Sequence, residues 1–416
     1  MRGIFYGWWV LLGLFLIYTA NNGILMHTLP LFYPALTEEF GWNQEQVTQP
    51  ASYLFILAAF LTPFMGALFD RFSTRLIMVF GIAAVVLPLA FYSRISSLGE
   101  LTVIYLVGAV GLAGSGLMPN MLILTRWFRR YRGRAVGILL MGSSLGGALF
   151  PLVAGETLAE QGWREASQLI AVIGAVMMVV AIALLVRNRP EDMGLAPDGD
   201  PEPTAALDAA SAAATAGPTL GDAVRTPAFY LLLFATGGMW FCIVGIIQHQ
   251  SLYFGDDLGV DTATLARIFS AFFWSAIVGK LLFGFLADRF DKTLVMLASV
   301  FNLTIGLLIL RHADPTSSLS LYGYAVVYGI GFSGAFAAIQ LVIADFFAGA
   351  SYGKILGVFT MVDSIAGAMG IQYLGAQRVA DGNYLQTLNE MIGLTLVIAA
   401  VVGALYLIHA RQRRAR

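Results

Sequence analysis

Gly66-Ala67-Leu68-Phe69-Asp70-Arg71-Phe72 occurs in this chain a second time, as Gly284-Phe285-Leu286-Ala287-Asp288-Arg289-Phe290, half a chain later. Each copy closes a long apolar stretch and opens a short charged turn. Phe40-Gly41 aligns with Leu258-Gly259 at the same offset. Gly133-Arg134-Ala135-Val136-Gly137 aligns with Gly353-Lys354-Ile355-Leu356-Gly357 after a drift of two residues, and Met141 and Gly147 then match Met361 and Gly367. A single match of this kind arises by chance; an ordered series does not. The chain therefore reads as two copies of one module.

The module is a membrane module. Of the 416 residues, 58% are hydrophobic and only 12% charged, against about 25% charged in soluble domains. A helix needs about 20 apolar residues to cross a bilayer. Twelve such stretches are legible, at roughly 6–34, 47–69, 75–93, 101–127, 134–159, 165–187, 226–254, 263–286, 293–311, 319–347, 354–378 and 385–409. Lipid does not tolerate open sheet edges, and no alternating barrel pattern is present, so the expected class is an all-α membrane protein. The first stretch is too long for a signal peptide and lacks a small-residue cleavage site, so it reads as a retained helix.

The one cysteine, Cys242, excludes an internal disulfide and a cysteine-based metal site. A net charge of −1 gives no footprint for nucleic acid. No phosphate-binding loop, serine–histidine–aspartate arrangement or zinc motif appears. An enzyme or an ATP-driven pump is therefore not expected, nor is a cofactor or a metal.

Residues 188–224 interrupt the apolar pattern. Arg189-Pro190-Glu191-Asp192-Met193-Gly194-Leu195 leads into an Ala/Pro/Asp-rich run ending at Gly217-Pro218, which cannot bury a core. This divides the chain into six-helix bundles at 1–187 and 225–416, related by pseudo-symmetry, with a cytoplasmic linker between them. Placement of Lys and Arg fixes the orientation. The outer loops hold Arg94, Arg164, Arg267, Arg311 and Arg378; apart from Lys280, every other one of the 24 Lys and Arg residues, from Arg2 to Arg416, falls on the inner side. Both termini are then cytoplasmic, and the expected location is a bacterial inner membrane.

The repeated turn has a physical use in a two-state machine. A glycine lets a neighbouring helix approach, an aspartate meets the N-terminal dipole of another helix, and an arginine pairs with a carboxylate across the junction. Gly66, Asp70, Arg71 and Arg75 in the first half, with Gly284, Asp288 and Arg289 in the second, form a candidate cytoplasmic gate. A plain topogenic charge cluster is the alternative. Glycines also crowd the fourth, fifth, tenth and eleventh stretches, which fits close packing through small residues or bending during a transport cycle.

Over essentially its whole length the chain resembles the major facilitator superfamily. Its loop signature is fuller than the one here: Ser73 and Asp291 stand where a second glycine is usual. Phe5-Tyr6-Gly7-Trp8-Trp9-Val10, the run from Trp127 through Arg129, Arg130, Arg132 and Arg134 to Gly142, Gly162-Trp163-Arg164 and Arg189-Pro190-Glu191 are similar to landmarks of the monocarboxylate-transporter and oxalate–formate-antiporter branch. The resemblance implies twelve helices in two bundles that alternate access to a central site. It also implies that helices 8 and 11 contribute to that site.

Ionisable groups at bilayer depth cost about 2.5–3.5 kcal/mol or more and mark function. Lys280 lies about 12 Å above the inner loop and Asp363 about 15 Å from Gly353, at 1.5 Å per residue. The related carriers usually carry arginine at the helix 8 position, and the oxalate carrier adds a basic residue on helix 11. This chain has Lys280 and an acid instead, so a dianion is not expected. Either Lys280 binds a carboxylate while Asp363 handles a proton, or the two bind a zwitterion, or they form a permanent salt bridge. His27 and His249 fall about 30 Å from the inner ends of their helices and are candidates for an outer proton relay, or plain polar residues of an outer mouth.

Asn21, Asn22, Asn120, Trp240, Tyr328 and Gln340 complete the candidate binding set. Each is alternatively an interhelical hydrogen bond or an interface anchor. The expected protein is a monomeric secondary transporter of a small organic anion, a monocarboxylate, with proton coupling or exchange. Its partners are that anion, protons and the lipid bilayer. Carriers of amino acids or other zwitterions, and exporters of amphipathic drugs, are the competing readings.

Overall fold

The structure is a computed structural model that describes residues 5–199, 218–349 and 351–414. The middle of the expected linker, 200–217, lies outside the described residues, as do Arg2 and Arg416. Twelve helices long and apolar enough to cross a membrane are present among the described residues, and no strand. They are α1 (Gly7–Phe40), α2 (Gln44–Arg71), α3 (Thr74–Tyr92), α4 (Leu98–Trp127), α5 (Arg132–Gln161), α6 (Trp163–Leu185), α7 (Pro227–Asp257), α8 (Thr262–Arg289), α9 (Lys292–Arg311), α10 (Ser318–Phe347), α11 (Tyr352–Asp381) and α12 (Leu385–Arg414).

Several bounds differ from those read off hydropathy, for local reasons. α1 runs six residues past 34. It passes through a π turn at Gly23–Thr28 and a 3₁₀ turn at Leu29–Phe32, where Pro30 has no N–H to give, and resumes as regular helix from Tyr33 to Phe40. α2 begins earlier because Asn43 and Gln46 form a capping box. It ends later, so Asp70 and Arg71 occupy its last helical turn; Asp288 and Arg289 do the same in α8. α4 is broken at Ser115–Leu117, where Gly116 leaves the helical region. Asp291 departs from the expected glycine because it caps α9, accepting the Thr293 N–H at 2.9 Å.

Contacts divide the chain into two compact units, Met1–Pro203 with Asp261–Ser270, and Thr204–Val260 with Ala271–Arg416. In the first unit α1 packs on α5 and α6, α4 on α2 and α3, and α6 on α3 and α5. In the second unit α7 packs on α11 and α12, α10 on α9, and α12 on α9 and α11. α8 joins α10 there, where the Ser333 hydroxyl donates to the Ala276 carbonyl at 2.6 Å. Advancing each helix number of the first set by six gives the second, which is the sequence repeat in three dimensions. Gly41 after α1 and Gly259 after α7 share a left-handed φ of 67° and 66°.

Two close glycine crossings also repeat. A Cβ on Gly146 of α5 would fall on the Thr19 carbonyl of α1 and 2.8 Å from Gly23 Cα. One on Gly370 of α11 would fall on the Phe241 carbonyl of α7, beside Gly245. At these two crossings the glycines serve close helix packing. At Gly284, Gly353 and Gly357 a Cβ would meet no described atom within 4 Å, and at Gly66 only Met118 Cε at 3.7 Å.

Candidate functional site

In the second unit α7 acts as a rail that carries two consecutive contacts. Thr236 hydrogen-bonds the side chain of Asp363 on α11. Asp363 is only 7% exposed, and its Oδ1 has no hydrogen-bond partner among the described residues. One turn further along α7, Trp240 meets Phe336 of α10 edge to face, ring centres 6.2 Å apart at 78°. The Lys280 ammonium of α8 lies 5.8 Å from the centre of the same Phe336 ring. Gln340, one turn beyond Phe336, is exposed. Lys280 stands nine residues before the end of α8 and Asp363 eleven after the start of α11. These are depths of about 14 and 17 Å at 1.5 Å per residue.

So α7, α8, α10 and α11 bring Lys280, Trp240, Asp363 and the turn carrying Gln340 into one region of the unit. Tyr328 is not part of it. It is fully buried, stacked on Tyr324 at 5.5 Å and tilted against Phe272 at 5.9 Å, which makes it core. Thr236 and Phe336, which hold the arrangement together, carry no charge and stand in uniformly apolar helices. The only hint was the one-turn spacing of Thr236 and Trp240.

The first unit has a polar cluster of another kind. Asn21 Nδ2 donates to Ser115 Oγ at 2.8 Å, and Asn120 Nδ2 donates to the carbonyls of Ser115 and Gly116 at 2.8 and 2.6 Å. Both residues are fully buried. Asn120 satisfies two carbonyls at the break in α4, and Asn21, through the Ser115 hydroxyl, ties that break to α1. Asn22 turns back on its own helix, to the Tyr18 carbonyl at 3.2 Å. His27 Nε2 lies 3.2 Å from Ser143 Oγ, and Tyr18 hydrogen-bonds the same serine. Ser143 is the residue that the repeat aligns with Asp363.

His249 mirrors His27, since each follows its crossing glycine, Gly245 or Gly23, by four residues. Its surroundings pin it. Nε2 lies 2.9 Å from the Ile371 carbonyl, so it carries the proton, and Nδ1 accepts from the Tyr384 hydroxyl at 2.8 Å. Tyr384 N–H donates to Asp257, which Arg378 grips with two nitrogens. His249 thus sits buried in a clasp joining α7, α11 and the start of α12, which is a structural post rather than an open outer relay.

Among the gate residues, Asp70, Arg71, Asp288 and Arg289 are exposed, with the Arg289 guanidinium 4.1 Å over the Phe285 ring. Arg75 is committed within its own unit, donating to the Ile182 carbonyl at 3.1 Å at the end of α6, where a cation suits the helix dipole. Two landmark motifs meet nearby. Phe5, Tyr6 and Trp8 pack on Trp127, Phe128 and Tyr131. Asp198, at φ 59° the only described non-glycine with positive φ, accepts the consecutive N–H groups of Arg129 and Arg130 at 2.8 and 2.7 Å. This docking of the first linker residues was not legible in the sequence.

The chain matches the Major Facilitator Superfamily over residues 10–371 and again over 250–414. The chain belongs to the major facilitator superfamily. It is an integral multi-pass membrane transporter rather than an enzyme. Monocarboxylate transporter 13 of Bos taurus is 26% identical over 387 residues, covering 91% of this chain and 84% of that one. The uncharacterized MFS-type transporter YcxA of Bacillus subtilis is 22% identical over 409 residues, 95% and 94% of the two chains. Agnestins efflux protein AgnL12 of Paecilomyces divaricatus is 26% identical over 343 residues, 81% and 72%. Among solved structures, an inward-facing bacterial homologue of the lysosomal transporter Spinster superposes with a TM-score of 0.70 at 19% identity, covering 98% and 97%. The nucleoside transporter NupG does so at 0.72 and 14%, covering 96% and 100%. At these identities the structures speak to the fold alone.

Proposed function

We propose that this superfamily member carries a small organic anion, a monocarboxylate, by alternating access with proton coupling or exchange. Lys280 anchors the carboxylate and Asp363 takes up and releases the coupled proton. The observation that carries the reading is the α7 rail: one turn of helix separates the contact to Asp363 from Trp240, whose ring meets the Phe336 ring that the Lys280 ammonium faces. A carboxylate oxygen without a partner at bilayer depth is costly to keep charged, and taking up a proton removes that charge. The resemblance to monocarboxylate transporter 13 supports the substrate class.

In this reading the bundles 1–187 and 225–416 rock about the site. The doubled turn, with Gly66, Asp70, Arg71, Gly284, Asp288 and Arg289, closes the inner face. The protein works as a monomer in a bacterial inner membrane, with both termini in the cytoplasm.

The test is ligand-induced thermal stabilisation of the purified protein, since a ligand that binds the folded state raises its melting temperature. A panel of monocarboxylates, dicarboxylates, amino acids and cationic drugs is screened against wild type, Lys280→Ala and Lys280→Arg. Monocarboxylates should stabilise wild type, lose their effect in Lys280→Ala and keep part of it in Lys280→Arg. An undiminished shift in Lys280→Ala removes the anchor. In liposomes, Asp363→Asn should lose proton-driven accumulation and keep counterflow; loss of binding itself would instead indicate an amine-bearing, zwitterionic substrate.

A further inference from the structure

Resting on that reading of Lys280, we propose that the carried monocarboxylate bears an aromatic or similarly flat apolar group, selected by Phe336 and Trp240. Side chains of three helices meet here: Lys280 of α8, Phe336 of α10 and Trp240 of α7. Both rings are only half-buried, unlike Tyr328, Phe272 and Phe273, which the core covers completely. The edge-to-face contact of Trp240 with Phe336, at 78°, leaves ring surface open to a third partner.

The spacing fits. A carboxylate oxygen bonded to an ammonium sits about 2.8 Å from the nitrogen. The group attached to that carboxylate then begins about 4 Å from Nζ, and the Phe336 ring centre lies 5.8 Å from the same atom. A methyl group at that point covers only part of the ring. A planar ring reaches it in offset or edge-on packing, the geometries aromatic pairs favour at centroid distances of about 4.5–7 Å. The anion also screens the ammonium that now lies over Phe336, so the ring face loses its cation partner as it gains an aromatic one.

Isothermal titration of the full-length purified protein measures this directly, with acetate, lactate, cyclohexanecarboxylate, benzoate and phenylacetate as probes. The aryl acids should bind about tenfold tighter than cyclohexanecarboxylate, about 1.4 kcal/mol, although that acid offers similar apolar bulk. Phe336→Leu should collapse the aryl-over-cyclohexyl ratio towards one, and Phe336→Trp should restore it. Equal affinity for benzoate and cyclohexanecarboxylate in wild type overturns the proposal, as does a ratio that survives Phe336→Leu. Lys280→Ala separates the two layers of argument. If it abolishes binding of every acid while no aryl preference exists, only the aromatic selection falls. If it leaves binding intact, or if none of the acids binds wild type, the anchor falls and this inference with it.

Discussion

Gly370→Ala and Gly357→Ala should change stability in opposite directions, although both place one methyl group on the same helix. In a helix interior alanine is favoured over glycine by about 0.8–1.0 kcal/mol. At Gly357 nothing described lies within 4 Å of the new Cβ, so that gain stands and the variant should be more stable by about 0.5–1 kcal/mol. At Gly370 the methyl would land on the Phe241 carbonyl oxygen, with the carbonyl carbon at 2.9 Å. Both are backbone atoms, so α7 and α11 must separate along their crossing. Overpacking of this kind costs about 1–3 kcal/mol, and a gap of 0.5–1 Å forfeits roughly a quarter to a half of each lost dispersion contact.

The net expectation for Gly370→Ala is therefore a destabilisation of up to about 2 kcal/mol. Gly245→Ala should fall between the two, because its Cβ would meet Leu374 at 3.1 Å and Gly370 at 3.2 Å, and a few tenths of an ångström relieve it. Gly146→Ala should repeat the Gly370 result in the first unit. Equilibrium unfolding of the purified protein in mild detergent, titrated with sodium dodecyl sulfate and followed by tryptophan fluorescence, gives the order. A Gly370→Ala protein as stable as Gly357→Ala would refute the assignment of this glycine to the helix crossing.

Arg378→Ala should destabilise by about 3–5 kcal/mol, since it strands the Asp257 carboxylate in a pair whose side chains are only 15% and 9% exposed, and Asp257→Asn should recover part of the loss in the same unfolding assay. Arg164→Ala, which breaks the Glu39 pair whose side chains are 40% and 39% exposed, should cost less than about 1 kcal/mol. Asp198→Ala removes the acceptor for the Arg129 and Arg130 amides, so hydrogen exchange there should speed up by about tenfold or more, while Asp198→Asn keeps both the left-handed backbone and an acceptor and should change it little. Asp363→Ser should leave unfolding stability within about 1 kcal/mol of wild type, whereas Ser143→Asp should lose at least about 2.5 kcal/mol by placing a carboxylate beside Tyr18 and His27.

The architecture was legible because bilayers admit few solutions. Hydropathy, the doubled Gly-x-x-x-Asp-Arg turn and the Phe40-Gly41 and Leu258-Gly259 pairs all express one constraint, that every backbone polar group in lipid must be satisfied within helices. The candidate site was legible only where a charge stands in an apolar helix, at Lys280 and Asp363. Aromatic and amide residues were not sortable from the sequence, because helices that are apolar all round show no periodic inner face. Tyr328 and Trp240 therefore read alike, yet one is core and the other stands against Phe336. Asn21 and Asn120 read either as cavity polar groups or as interhelical hydrogen bonds; Asn21 makes such a bond to the Ser115 hydroxyl, and Asn120 answers to carbonyls at the α4 break, which hydropathy does not register. His249 read either as a titrating group or as a plain polar residue near an outer mouth; its partners Tyr384 and Ile371 come from distant stretches that no local pattern links to it.

The two units place comparable contacts on comparable helices and fill them differently. In the first, Tyr18 of α1 and Ser143 of α5 hydrogen-bond each other, with His27 on the same serine. In the second, at the offsets of the repeat, Thr236 of α7 and Asp363 of α11 do so. A serine hydroxyl has a donor and acceptor capacity that a buried site meets with neutral partners, so the first pair has no need of a proton from outside. A carboxylate at the equivalent depth does, whenever its charge is not otherwise compensated. The glycine crossings that set these helices together are shared, so the divergence is confined to side chains. Duplication alone would give both units the same chemistry. In the proposed transport cycle the symmetric frame moves and a local break in symmetry holds the cargo, and the contact pair shared by the α1–α5 and α7–α11 crossings is where the two units differ in charge.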